Sequence, residues 1–105
     1  MSESVDINRL ARLAMSDKRI ALVDVRTEEE YREGHIPGSL LVELTRAYTI
    51  LDVVRDHDTP LYVYCRSGRR SEQASILFRR LGYKNVRNIG GILSWDGPIV
   101  SGREI

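Results

Sequence analysis

The feature that most constrains the fold is an alternation. Three short apolar runs, Ile20-Ala21-Leu22-Val23, Leu40-Leu41-Val42 and Leu61-Tyr62-Val63-Tyr64, and a last strand candidate, Val86-Arg87-Asn88-Ile89, are separated by stretches whose apolar residues recur at helical spacing. A run such as Ile20 to Val23, apolar on both faces, suits a strand in a parallel sheet covered by helices. Ile7, Leu10, Leu13 and Ala14 predict an amphipathic helix with Asp6 as its N-cap. Ala47, Ile50, Leu51 and Val54 predict another, and Ala74, Leu77, Phe78 and Leu81 a third that Gly82 stops. Thr27-Glu28-Glu29-Glu30 fits a capping box for a short helix closed by Gly34. After Gly90-Gly91, a short helical segment over Ile92 to Trp95 is expected to bury the tryptophan, and residues beyond Gly97-Pro98 read as a tail. Together these describe one α/β domain over residues 1–105. It has three layers, with a mainly parallel sheet of about five short strands and helices on both faces; Val5 offers the fifth strand.

Ligands of such sheets bind beyond the carboxyl ends of the strands. Asp24-Val25-Arg26, Cys65 and Ile89-Gly90-Gly91 all lie at that edge. Cys65 is the single cysteine, so no intramolecular disulfide forms, and the thiol is either a buried apolar group or a reactive one. The two histidines, His35 and His57, are far apart in sequence and define no metal site; each reads as a loop residue, His35 as a structural hydrogen-bonder and His57 at a solvated helix end. No cofactor is called for. With Lys+Arg 16 against Asp+Glu 15, overall charge argues for neither a nucleic-acid nor a membrane partner. No stretch is long and apolar enough for a membrane span and the start has no leader pattern, so a cytoplasmic protein is expected.

A lone cysteine is by itself an inert small hydrophobe more often than a nucleophile. The neighbours of Cys65 reverse that reading. It stands where an apolar strand ends, in Cys65-Arg66-Ser67-Gly68-Arg69-Arg70-Ser71, just before a helix. Gly68 permits the positive φ of a tight concave turn, whose backbone N–H groups form an anion nest. The helix start adds a positive dipole end, and Arg66, Arg69 and Arg70 add full charges. Each favours thiolate, the reactive form of sulfur. Since a helix N-terminus disfavours cations, three arginines there call for an anion. Covalent catalysis by Cys65 on an anionic substrate follows, with no histidine base required.

These residues carry a resemblance. Leu22-Val23-Asp24-Val25-Arg26 with Glu30-Tyr31, Gly34-His35-Ile36-Pro37-Gly38-Ser39, Val63 to Ser71, and Asn88-Ile89-Gly90-Gly91-Ile92-Leu93-Ser94-Trp95 together resemble a single-domain rhodanese, a thiosulfate sulfurtransferase. The resemblance implies that Cys65 takes the outer sulfur of thiosulfate as a persulfide and yields it to a thiophilic acceptor such as cyanide or a thiol. It implies that the N–H groups from Arg66 to Ser71, with Ser67 and Gly68 between, cradle the persulfide, and that Arg66, Arg69 and Arg70 are candidates for holding the sulfonate end. Asp24, Arg26 and Glu30 look like the family's structural polar set beside the site. Related phosphatases place arginine after five residues, whereas here Arg70 follows Cys65 after four and Ser71 takes the phosphatase position. The other rival is a sulfur-relay module that accepts persulfide from a partner protein.

Overall fold

The computed structural model describes residues 6–102. Helix α1, Ile7–Ser16, starts at Asp6, whose carboxylate accepts from the Arg9 N–H. Strand β1 is Ala21–Asp24 and helix α2 is Glu28–Glu33. The latter opens on the expected box: the Thr27 hydroxyl accepts from the Glu30 N–H, and Glu30 reaches back to the Thr27 N–H. Strand β2 is Leu40–Leu41, helix α3 Ile50–Val53, strand β3 Leu61–Cys65, helix α4 Arg69–Arg80 and strand β4 Val86–Gly91.

The sheet order is β2-β1-β3-β4, every pair parallel. Among the described residues it has four strands rather than about five; the expected contribution of Val5 lies outside them. Alternation along β3 divides the interior. Leu61, Val63 and Cys65 point to a core shared with Ala47, Ile50, Ala74 and Phe78, whereas Tyr64 joins Leu22, Ile36 and Ile89 under Ile7, Leu10 and Ala11 of α1. The sheet is thus the middle of three layers, as its two-faced apolar strands require.

The helix stripes differ in detail from those expected. Leu13 is exposed and Ala11 is buried in its place; on α4, Leu77 is exposed and the buried line is Ser71, Ala74, Ser75 and Phe78. Small side chains let both helices approach the sheet closely, and hydropathy alone does not rank them as core. Ser75 is accommodated because its hydroxyl donates to the Ser71 carbonyl at 2.7 Å. The segment expected as one amphipathic helix is a 3₁₀ stretch, Leu44–Thr49, broken at Arg46 and followed by the single short helix α3. Thr45, Tyr48, Thr49 and Ile50 are weak helix formers and no side chain caps the start.

Among the loop readings, Gly34 and His35 hold the roles expected of them, and His57, Trp95 and Val100 differ. Gly34 ends α2, in extended backbone. His35 is buried, stacked on the Tyr31 ring at 3.6 Å, with Nδ1 2.8 Å from the Tyr31 carbonyl. His57 is half-buried against Tyr83, rings 4.3 Å apart, rather than solvated. Trp95 is only half-buried, with its Nε1–H donating to the Pro98 carbonyl at 2.9 Å and the Arg12 guanidinium over its face. Val100, in the expected tail, makes an antiparallel bridge with His35.

Candidate functional site

Strand β3 ends at Cys65, where Cα register pairs it with Gly91 of β4. The chain then turns through Gly68, at φ 105°, into α4. That angle is in the region glycine alone enters without strain. Gly68 carries the N-cap position of α4 but has no side chain to cap with, and the sulfur does that work instead. The Gly68 N–H donates to Cys65 Sγ at 3.0 Å, and the Ser67 and Ser71 N–H groups face it as well. The Ser71 hydroxyl lies 3.4 Å from the same atom. Cys65 is 1% exposed, and burial pushes its thiol pKa up. The Ser71 hydroxyl and the N–H groups of Ser71, Gly68 and Ser67 act the other way and prevail, so the thiol lies below its ordinary value.

The three arginines of the loop separate into two kinds. Arg70 turns to Glu30 of α2, Nη1 to Oε1 at 2.7 Å and Nη2 to Oε2 at 3.0 Å. Its charge is still felt at Cys65, but its fork of donors is engaged. Arg66 and Arg69 are exposed, and their side chains make no hydrogen bond or ion pair with any described residue. The site therefore has two uncommitted guanidinium groups at its rim.

Glu30 is thus brought to the loop, whereas Asp24 and Arg26 are not joined to it. Asp24 is fully buried and holds Arg26 through four contacts, with Nη2–Oδ2 the shortest at 2.8 Å, and Arg26 Nη2 also donates to the Gly34 carbonyl at 2.7 Å. Burial pulls the Arg26 guanidinium down, and its bonds to Asp24 outweigh that and raise it. Nearby, the Tyr64 hydroxyl accepts from the Ile36 N–H at 3.1 Å and sits 3.0 Å from Ser39 Oγ. These bonds fix the turn from Gly34 to Ser39 against the sheet, on the face opposite Cys65.

Two residues of the site are named from sequence only within longer stretches, with no role given to either. Asn88 sits opposite Val63. Its Oδ1 accepts from the Ser71 hydroxyl at 2.7 Å and the Gly90 N–H at 3.0 Å, while its Nδ2 donates to the Gly68 carbonyl at 3.0 Å and to Glu72 Oε1 at 3.3 Å. The usable signal is an asparagine inside a run of strand formers at the carboxyl edge. Gly91 is the second: a Cβ there would lie 2.2 Å from the Arg66 carbonyl oxygen and 2.6 Å from Ser67 Cα. Among the described residues no group of three or more His, Cys, Asp or Glu side chains could hold a metal ion, and no helix is long and apolar enough to cross a membrane.

A strand-end sulfur enclosed by N–H donors at a helix start is matched by what the chain resembles as a whole. The model of the rhodanese-like domain matches residues 8–97. The chain is 35% identical over 81 residues to PspE of Escherichia coli, named a thiosulfate sulfurtransferase, covering 76% of this chain and 78% of that protein. It is 36% identical over 83 residues to YrkF of Bacillus subtilis, a candidate sulfur carrier protein, covering 78% of this chain but only 44% of that protein, so it spans less than half of that relative's length. Among solved structures, a rhodanese with anions from E. coli superposes with a TM-score of 0.73 at 34% identity, covering 78% of this chain and 98% of the other. A match of this extent, joined to a parallel sheet that ends in the cysteine loop, shows that the chain belongs to the rhodanese-like domain family.

Proposed function

We propose that this protein is a sulfurtransferase that moves a sulfane sulfur from thiosulfate, or a related persulfide donor, through a persulfide on Cys65 to a thiophilic acceptor such as cyanide or a thiol. The observation that carries this reading is the set of N–H groups converging on Sγ at the start of α4. In the first step the Cys65 thiolate attacks the outer sulfur of thiosulfate. A new S–S bond forms, the S–S bond of the donor breaks, and sulfite leaves with the electron pair. In the second step the acceptor attacks the terminal sulfur and the thiolate is restored. The N–H groups of Ser67, Gly68 and Ser71 hold negative charge on the sulfur in both steps, and Arg66 and Arg69 receive the sulfonate of the donor. Arg70, engaged by Glu30, supplies charge and shapes the loop.

Phosphoryl transfer fits less well. Ser71, at the position where a phosphatase carries its arginine, turns its hydroxyl inward to the sulfur and to Asn88. A relay that accepts sulfur from a protein persulfide uses the same Cys65 chemistry, and the relative named as a sulfur carrier favours keeping it as the second reading. Incubation of the intact protein with thiosulfate, read by mass spectrometry, is expected to add one sulfur atom per chain, and Cys65→Ala to abolish the gain. An unchanged wild-type mass with thiosulfate, together with sulfur uptake from a protein persulfide, selects the relay. Turnover of a small aryl phosphate would favour the phosphatase.

A further inference from the structure

The Ser71 hydroxyl has one hydrogen and two acceptors within reach, Asn88 Oδ1 at 2.7 Å and Cys65 Sγ at 3.4 Å. The Asn88 amide cannot be turned over to share the work differently. Its nitrogen faces two acceptors, the Gly68 carbonyl and Glu72 Oε1, and its oxygen faces the Gly90 N–H donor. Toward Asn88, therefore, Ser71 can only donate. When it does, its oxygen lone pairs are left for the sulfur, an arrangement that suits a thiol whose S–H donates to Oγ. A thiolate has no hydrogen to give and requires the hydroxyl to donate to it. Asn88 Oδ1 then keeps the Gly90 N–H, so releasing Ser71 leaves no buried oxygen without a partner.

We propose that Asn88 is a positioning residue that competes with Cys65 Sγ for the single hydrogen of the Ser71 hydroxyl, so that this hydroxyl rotates from the amide to the sulfur when the thiol ionises. The inference rests on the reading of Cys65 as the nucleophile and adds a residue that acts on it through another. No proton passes between residues: the S–H proton leaves to solvent or base, and the hydroxyl turns about its Cβ–Oγ bond. Asn88 favours the thiol in this scheme and Ser71 favours the thiolate. The two residues thus pull the ionisation of the sulfur in opposite directions. The charged groups around the three residues are Arg70 with its partner Glu30, the exposed Arg66 and Arg69, Glu72 on the amide nitrogen, and the Asp24–Arg26 pair on the other face of the sheet. None of them bonds the Ser71 hydroxyl.

The opposed signs make the test. The thiol midpoint is read from the pH dependence of alkylation by iodoacetamide and of thiolate ultraviolet absorbance, in the full chain. Ser71→Ala is expected to raise it, and Asn88→Leu to lower it by about half a pH unit to one pH unit, the worth of one hydrogen bond. In the Ser71→Ala background Asn88→Leu is expected to lose that downward effect, and Ser71→Thr, which restores a hydroxyl, to recover it. A purely structural Asn88 would loosen the loop, withdraw N–H donors from the sulfur and raise the midpoint in both backgrounds, which would overturn the proposal. Asn88→Ala gives the same reading should the leucine variant fail to fold, as checked by circular dichroism. Sulfur uptake from thiosulfate, measured on the same proteins, separates the two levels. Failed uptake with the midpoint pattern intact removes the thiosulfate reading alone, and intact uptake without the pattern removes the role of Asn88 alone.

Discussion

Glu30 and Arg70 are bonded twice, at 2.7 and 3.0 Å, and so tie the first turn of α2 to the first turn of α4 across the mouth of the cysteine loop. The Arg70 guanidinium, opposed by burial and helped by Thr27, brings the Glu30 carboxyl down to about 2 from 4.5. A depressed folded-state pKa means stability that is fully present above the ordinary value and lost as pH falls toward the lowered one. With side chains 27% and 33% exposed, solvent screening reduces the contribution to about 1–2 kcal/mol. Glu30→Gln keeps a capping glutamine while removing the charge. Its melting temperature is expected to fall below that of the parent at neutral pH and to converge with it between about pH 4 and pH 2, as followed by thermal denaturation across a pH series.

A larger loss is expected at the buried pair. Arg26→Met removes the one cation bonded to the buried Asp24 carboxylate among the described residues. Breaking such a pair from one side costs about 3–5 kcal/mol. Chemical denaturation should show the midpoint falling without a change in slope. A loss under about 1 kcal/mol would show that Asp24 is held by other means.

Gly91→Ala tests how closely the loop lies on β4. The added methyl meets the Arg66 carbonyl oxygen and Ser67 Cα, both backbone. Overpacking of this kind costs about 1–3 kcal/mol, and here the displaced atoms are those that place N–H donors on the sulfur. Sulfur uptake by the variant is expected to drop by more than its stability does. Measuring both on one preparation checks the split.

Arg66→Ala and Arg69→Ala should behave in the opposite sense. Both side chains are exposed and uncommitted, so folding stability should change by about 0.5 kcal/mol or less. If they receive the sulfonate, each raises KM for thiosulfate about three- to tenfold, the worth of a partly solvated charge contact. Alkylation of Cys65 by neutral iodoacetamide should be much less affected, and equal effects on both would place these arginines in loop structure instead.

The thiol itself sets a pH dependence. Its folded-state value lies below the ordinary 9.0, because Ser71 and the loop N–H groups outweigh burial. Alkylation should rise through a midpoint under 9.0 and then level. The same shift contributes stability that grows as pH rises through the lowered value and is complete above the ordinary one. Urea denaturation of the parent and of Cys65→Ala, compared across alkaline pH, should show this increment in the parent alone.

What sequence made legible here was whatever local chemistry decides. The capping box at Thr27 and Glu30, the left-handed turn at Gly68 and the strand that ends in Cys65 each depend on neighbours a few residues away. Ala11 and Ser71 were hidden as core residues because their burial reflects how near a helix comes to the sheet rather than how apolar they are. The division of the arginines was hidden for another reason. Charge is visible in sequence, but the commitment of Arg70 to Glu30 spans 40 positions and depends on α2 and α4 meeting. Asn88 depends on register, which no periodicity reports.

That register carries a constraint on how the protein can change over time. Val63 pairs with Asn88, yet Tyr64 pairs with Gly90 and Cys65 with Gly91, so β4 carries one surplus residue, Ile89, at the bulge. The bulge puts an amide under Ser71 and a bare backbone under Arg66 at once, and a change of strand length would misplace both. Substitutions at the exposed Arg66 and Arg69 leave that register untouched and can retune the donor or the acceptor. An insertion or deletion between Val86 and Gly91 would instead dismantle the cradle, so room for change lies in the exposed side chains at the loop's rim and not in the strand's length.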